Sequence, residues 1–399
     1  MDSLTRMAIA LLLPLCLLAL GFERDARAAE LVEVRFEVSA PPTTPADGRL
    51  FVAGSPTELG GWKPDGVALR REGDRFVAAV RVPAGPFEWK VTLGSWDRCE
   101  TNADGSERTN RASVAAEGTL LRAEVLRWRS GSEPISSTMT GDVRVVGPLG
   151  GEASGIEPRM LTIRVPSGYA DRANAERRYP VIYFLDGQNV FDRATSFSGV
   201  EWAADEAHDM LLGEGAIDAA ILVGIPNSPK RMDELTFVRD ASRDAGGGGE
   251  AFLRWLIDDA KTTVDRMYRT KSDRASTTLV GSSLGGLFAL EAVARRGDVF
   301  GRAIAMSPSL WWADEELLRR WSAPGATLPD PIALWFDMGT AEQRAVPDGH
   351  VERARRLEAL FAGRTTVRCV IDDGAKHHES AWAARLPAAL RWTMRTKQP

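Results

Sequence analysis

The chain has 399 residues, 44% of them hydrophobic and 26% charged, with a formal net charge of −5. That length and apolar content suffice for two ordinary domains with real cores. Acids and bases are interspersed along the chain, which argues against nucleic acid or an acidic membrane surface as partner.

The N-terminus reads as an export signal. Arg6 supplies a weak positive charge, Met7 to Gly21 is an apolar run, and Ala26-Arg27-Ala28 is a small-x-small cleavage site. About fifteen apolar residues are too few to span a bilayer comfortably, which disfavours a permanent anchor. The expectation is a cleaved signal over 1–28 and a secreted or periplasmic mature protein. Cys16 lies in the apolar run, where Pro14-Leu15 fits a lipoprotein attachment site poorly. Cys99 and Cys369 remain, in neither CxxC nor zinc-ligand spacing, so no disulfide framework, metal or organic cofactor is implied.

From about Leu31 to Leu126 the pattern is that of short strands. Val34 to Val38, Arg75 to Val82 and Phe87 to Val91 alternate, and Leu50 to Ala53 is apolar. Gly60-Gly61, Pro83 to Pro86 and Asp104-Gly105 mark turns between them. Strands at this spacing predict a small all-β sandwich over residues 30–128. Trp89 alternates within a strand and is assigned to its core. A small, polar, proline-bearing stretch, Ser130 to Ser137, reads as a linker, set at 129–140.

Beyond the linker, over 141–396, apolar strands alternate with helices. The strands are Arg159 to Val165, Tyr179 to Leu185, Ala219 to Ile225, Thr277 to Val280, Arg302 to Met306, Ile332 to Phe336 and Val367 to Ile371. Helical periodicity marks Glu250 to Tyr268, Val351 to Ala362 and a closing segment from Ser380. This alternation predicts an α/β domain whose mostly parallel sheet is covered on both faces.

One stretch carries chemistry. An apolar strand stops at Gly281 and a helix begins after Ser283, so Gly281-Ser282-Ser283-Leu284-Gly285 occupies a sharp strand-to-helix turn. That is the context a G-x-S-x-G nucleophile elbow requires, and with it the domain reads as an α/β-hydrolase. Acyl transfer also needs a base and an acid to orient it, in the chain order Ser, acid, His. Of four histidines, His208 precedes the elbow and His350 starts a helix, which leaves His377 and His378 in a loop after the last strand. The acid should follow the strand ending near Phe336; Glu342 is preferred over Asp337 and Asp348 because it lies in the loop just beyond the strand. Two oxyanion donors are needed, and the backbone N–H groups of Leu284 and Gln188 are the candidates. Gln188 sits in the loop Asp186-Gly187-Gln188-Asn189, whose Asp186 and Asn189 are candidate substrate contacts.

Two resemblances follow. Residues 138–394 resemble the esterase D / enterochelin esterase group, on the strength of Tyr179-Pro180-Val181-Ile182-Tyr183, Leu185 to Asp192, Arg231-Met232-Asp233-Glu234, Tyr268-Arg269-Thr270, Gly281 to Gly286, Ser307 to Trp312 and His377 to Trp382. The resemblance implies Ser283 as nucleophile, His377 as base, Glu342 at the acid position, and Trp311 and Trp312 beside the acyl or alcohol pocket. It also places Leu235 to Glu250, read from its glycines as a flexible polar loop, over the mouth of the site. Gly54 to Trp62, with Pro83 to Lys90, Gly94 to Asp97 and Asn110-Arg111, is similar to starch- or glycogen-binding modules. In those modules the tryptophan matching Trp62 stacks on a sugar, and Trp96 falls near a second aromatic position. The alternative is that both indoles pack the sandwich.

The reading is an exported serine carboxylic-ester hydrolase acting on a bulky ester, either carbohydrate-linked or a siderophore-type lactone, with a polysaccharide as a further partner of the N-terminal module. Two other readings stand beside it: an acyltransferase using the same three residues, and a catalytically silent glycan-binding protein.

Overall fold

The computed structural model describes residues 30–45, 48–103, 105, 108, 110–129, 137–342 and 346–395. The expected signal segment and residues 130–136 of the expected linker lie outside them. The chain forms two compact units, one from the described parts of 1–40, 47–94 and 111–124, the other from those of 41–46, 95–110 and 125–399.

The first unit has seven strands: β1 (Leu31–Ser39), β2 (Leu50–Gly54), β3 (Val67–Glu72), β4 (Arg75–Pro83), β5 (Gly85–Thr92), β6 (Arg111–Ala115) and β7 (Thr119–Glu124). Their order is β6-β5-β2-β3-β4-β1-β7. Strand β3 turns the sheet back on itself, because Val67 to Leu69 pair with β2 whereas Arg70 to Glu72 pair with β4. Alternate residues of β1, Val34, Phe36 and Val38, are fully buried. Phe36 meets Trp89 of β5 edge to face, with centroids 5.0 Å apart, so the two layers pack across a shared apolar interior. Trp89 is in the core, its Nε1 donating to Ser113 Oγ at 2.9 Å.

The second unit is built on eight strands: β8 (Asp142–Gly151), β9 (Ile156–Val165), β10 (Val181–Leu185), β11 (Ile221–Ile225), β12 (Thr277–Ser282), β13 (Arg302–Met306), β14 (Ala333–Gly339) and β15 (Val367–Asp372). They run in the order β8-β9-β11-β10-β12-β13-β14-β15. The first two pairings are antiparallel and the remaining five parallel. Side chains of β10 divide with period two: Val181, Tyr183 and Leu185 enter one core, Ile182 and Phe184 the other. Helices α1 (Ala204–Gly213), α2 (Gly249–Trp255), α3 (Leu284–Arg295), α4 (Trp312–Ser322), α5 (His350–Leu360) and α6 (Glu379–Met394) cover the sheet. The faces of α2, α3 and α4 complete the first core, whereas α1 and α6 complete the second. This is the expected α/β-hydrolase domain, preceded by the expected small all-β sandwich. No helix among the described residues is long and apolar enough to cross a membrane.

Strand β8 has no counterpart in the sequence reading. Gly147, Pro148, Gly150 and Gly151 interrupt it, and its pairing with β9 shifts register twice. An edge strand tolerates such residues because one of its sides needs no partner.

The segment read as flexible is instead built by hydrogen bonds. Asp233 Oδ1 accepts the Gly246 N–H at 2.7 Å, and Thr236, fully buried, accepts from Gly247 and Gly249. Gly246 packs closely against Thr236 and Trp312, and Gly249 against Thr236. Asp240 is buried there. Burial pushes its carboxyl up, but the Ser242 hydroxyl, the Arg243 guanidinium and the amides of Ser242 and Ala313 outweigh it and bring the pKa to about 2.

Candidate active site

The parallel strands end on one side, and the loops leaving them there are where open α/β sheets place their ligands. Ser283 follows β12 in the conformation φ 55°, ψ −120°, which a non-glycine residue adopts only where its surroundings hold it. Those surroundings are close: a Cβ on Gly281 would lie 2.4 Å from the carbonyl carbon of Gly285, so strand and helix cross with room only for hydrogen. Ser283 N–H donates to Met306 O at 3.0 Å, and α3 starts at the next residue.

Glu342 and His377 arrive on the loops after β14 and β15. Gly339 lets those loops meet, since a Cβ there would stand 2.2 Å from Ala375 O; Ala341 N–H donates to the same carbonyl at 3.0 Å. His377 Nδ1 then lies 2.8 Å from Glu342 Oε2 and its Nε2 lies 2.9 Å from Ser283 Oγ. Glu342 is 1% exposed. Burial alone raises a carboxyl pKa, but His377, the Ser307 hydroxyl and the Gly339 amide together hold Glu342 below the usual carboxylate range. The arrangement therefore presents an ionised acceptor to one imidazole nitrogen and a serine hydroxyl to the other. A base so oriented can draw the hydroxyl proton and leave a nucleophilic oxygen.

The structure brings Glu342 to His377, and neither other carboxylate. Asp337 is fully buried at the end of β14, paired with Arg385 at 3.0 Å and accepting from Trp335 Nε1 at 2.8 Å. Asp348 is exposed, its carbonyl engaged by Arg353. Among the other histidines, His378 caps α6 through Nδ1, which accepts the Ser380 N–H at 3.2 Å. His208 is buried, its Nε2 accepting from Ala220 N–H at 3.0 Å, and His350 opens α5.

Leu284 and Gln188 each carry a first-turn amide, the former in α3 and the latter in a short 3₁₀ turn over Gly187–Asn189. Asp186 and Asn189 turn their side chains into the protein. Arg231 clasps Asp186 with two bonds, 2.6 and 2.7 Å, and Asn227 adds a third at 2.8 Å. Asn189 Oδ1 accepts the Phe197 N–H at 2.9 Å. Both side chains thus brace the Gln188 loop. Trp312 is buried in the core, its Nε1 donating to Val238 O at 2.7 Å. Trp311 is half-buried with the Arg243 guanidinium 4.4 Å above its ring.

Trp62 and Trp96 are both half-buried but belong to different units. Trp62 is fixed at φ 68° with its N–H on Gly54 O at 2.8 Å, whereas Trp96 stands edge to face with Phe197 at 6.4 Å. Among the described residues no group of three or more His, Cys, Asp or Glu side chains is placed to hold a metal ion. Cys369 is a free thiol.

The sequence reading named Ser307 and Trp382 only within the motifs of the resemblance, gave them no role, and passed over Arg385; all three pack beneath Glu342. A signal was present in α6. Trp382, Leu386, Ala389 and Leu390 form its buried stripe, and Arg385 falls on the same stripe, where a cation requires a partner.

Sheet order, elbow and loop positions define an α/β-hydrolase. Residues 156–393 match the model of the "Putative esterase" family, and the chain belongs to that family. Residues 31–118 match that of the "Starch binding domain" family. The chain is 30% identical over 158 residues to the ferri-bacillibactin esterase BesA of Bacillus subtilis, covering 36% of this chain and 52% of that protein. It thus spans about half the length of that relative. It is 33% identical over 209 residues to a siderophore enterobactin esterase of Emericella nidulans, covering 47% of this chain and 67% of that one. In fold it is similar to the enterobactin esterase FES of Shigella flexneri, with a TM-score of 0.53, 15% identity, and coverage of 92% of this chain and 94% of that one.

Proposed function

We propose that the protein is an exported serine carboxylic-ester hydrolase that works through an acyl-enzyme. The observation that carries this reading is the run Glu342 Oε2, His377 Nδ1, His377 Nε2, Ser283 Oγ, with links of 2.8 and 2.9 Å. Ser283 Oγ attacks the ester carbonyl while its proton passes to His377 Nε2. The N–H groups of Leu284 and Gln188 hold the tetrahedral oxyanion, and His377 returns the proton to the departing alkoxide. Water, deprotonated by the same imidazole, then attacks the acyl-enzyme and frees Ser283. Trp311 borders the pocket, and export rests on the 1–28 segment, which N-terminal sequencing of the mature protein checks.

The substrate class we propose is a siderophore-type ester lactone, supported by the names of the curated relatives. A second reading, a carbohydrate-linked acyl ester, is favoured by the starch-binding match and by Trp62. The test begins with p-nitrophenyl acetate and butyrate: wild type releases p-nitrophenol and Ser283→Ala, equally folded, does not. Equal rates from the two would refute the assignment. Catecholate trilactones and feruloylated glycans then separate the substrate readings, and retention of full-length Ser283→Ala on starch, glycogen or xylan favours the second.

A further inference from the structure

The turn after β13 holds a serine in an unusual state. Ser307 has φ 43°, in the left-handed region, yet it is not glycine. Such a backbone persists only where the surroundings over-determine it. Ser307 is 1% exposed, and its hydroxyl is fully committed. Arg385 Nη2 donates to Ser307 Oγ at 2.8 Å and Trp382 Nε1 donates to it at 3.0 Å. A serine hydroxyl has two lone pairs and one proton. With both lone pairs taken, the proton is left for Glu342 Oε1, 2.6 Å away.

The same carboxylate oxygen also accepts the Gly339 N–H at 2.7 Å. Oε1 is thereby satisfied twice, and Oε2 is the oxygen turned to His377. Trp382 acts on both halves of this contact. Its indole nitrogen aims the Ser307 hydroxyl, and its ring stands edge to face with the His377 imidazole, centroids 5.0 Å apart. Arg385 is in turn anchored by Asp337 at 3.0 Å and Asp372 at 3.3 Å.

We propose that Ser307 is a positioning residue for the triad: its hydroxyl, aimed by Arg385 and Trp382, locks the Glu342 carboxylate in the orientation that presents Oε2 to His377. The proposal rests on the reading of Ser283, His377 and Glu342 given above and adds a group that touches no reacting atom. A purely structural role, in which the hydroxyl serves only to satisfy Arg385 and Trp382, makes different predictions.

The experiment uses the full chain with Ser307→Ala and Ser307→Gly. Glycine removes the hydroxyl while relieving the left-handed backbone, so lost packing is separated from lost positioning. Each change is made alone and in a Glu342→Ala background, and kcat and KM are measured on p-nitrophenyl butyrate together with Tm. Positioning through Glu342 predicts that kcat falls roughly ten- to a hundredfold with KM unchanged, and that no further loss occurs once Glu342 is absent. An undiminished kcat, or the same loss repeated in the Glu342→Ala background, would overturn it. A second readout does not depend on turnover. The low-field proton resonance of His377 Nδ1–H, assigned by its absence in His377→Gln, is expected to vanish or move upfield in both Ser307 variants. Should wild type hydrolyse no ester, the hydrolase reading fails and this resonance alone decides the lock: a change supports it and persistence refutes it.

Discussion

Replacing Glu342 by glutamine keeps the side chain's shape but turns one of its two acceptors into a donor. Where the new NH2 group goes is decided by its neighbours. Oε1 receives two donors, Ser307 Oγ–H and Gly339 N–H, whereas Oε2 receives one, from His377 Nδ1. Ser307 has no lone pair to offer an NH2 group, because Arg385 and Trp382 occupy both. The amide oxygen therefore keeps the Oε1 place and the NH2 faces His377, whose Nδ1 must become the acceptor. The imidazole proton moves to Nε2, which then points a hydrogen at Ser283 Oγ from 2.9 Å and cannot take one away. A wrong-tautomer substitution of this kind lowers kcat about 10⁴-fold, or about 5 kcal/mol of transition-state stabilisation. The assay is kcat/KM for p-nitrophenyl butyrate at pH 7.5, with Tm measured in parallel. A glutamine variant within tenfold of wild type would refute both the tautomer argument and the assignment of Glu342.

Further expectations concern stability and reactivity. Asp240 is held at about pKa 2, below the ordinary value, so its stabilising contribution is complete above about pH 4 and is lost as pH falls towards 2. Tm of wild type should therefore fall more steeply than that of Asp240→Asn across that window, and parallel curves would count against the ion pair. Glu234 and Arg159 form a buried pair at 2.5 Å, with Arg159 also 5.1 Å from the Trp255 ring centroid. Glu234→Ala strands the guanidinium and should lower unfolding free energy by about 3–5 kcal/mol in a urea titration. Burial pushes the Cys369 thiol up to about 12, so at pH 8 it should resist iodoacetamide in the folded protein and react once unfolded, as mass spectrometry would show.

The parts of the fold that were legible in the sequence are those where one local rule decides. Residues 181–185 are apolar on every position because both faces of β10 are covered, and 284–295 follow a strand with no loop between. Strand β8 was illegible because its glycines and proline are turn signals that only its edge position neutralises. The 235–250 segment was misread for a related reason: four consecutive glycines resemble a linker until Thr236 and Asp233 are seen to receive their amides. At the site, chain order placed the serine, the histidine pair and the loop carboxylates. Loop position preferred Glu342, and the resemblance His377; what was illegible is the contact between two loops that Gly339 permits, because it depends on residues 36 positions apart in sequence, Gly339 and Ala375.

Charge in the layer beneath the site points the same way as geometry. Burial pushes the Asp337 carboxyl up, against the pull of Arg385. Its oxygens nevertheless face donors, namely Arg385, Trp335 Nε1 and the Ser307 N–H, so the carboxylate form fits them. Two buried carboxylates, Asp337 and Glu342, then share the single guanidinium of Arg385, which lies 3.0 Å from the first and 3.9 Å from the second. At rest the cluster leans negative, with Asp372 at its more exposed edge. On the proposed mechanism His377 acquires a proton as Ser283 attacks, which adds a positive charge beside Glu342 Oε2. The cluster is closest to neutral when the imidazolium exists and furthest from it when the imidazole is neutral. A buried arrangement of this sign stabilises the transition state more than the ground state, and that difference is what accelerates a reaction.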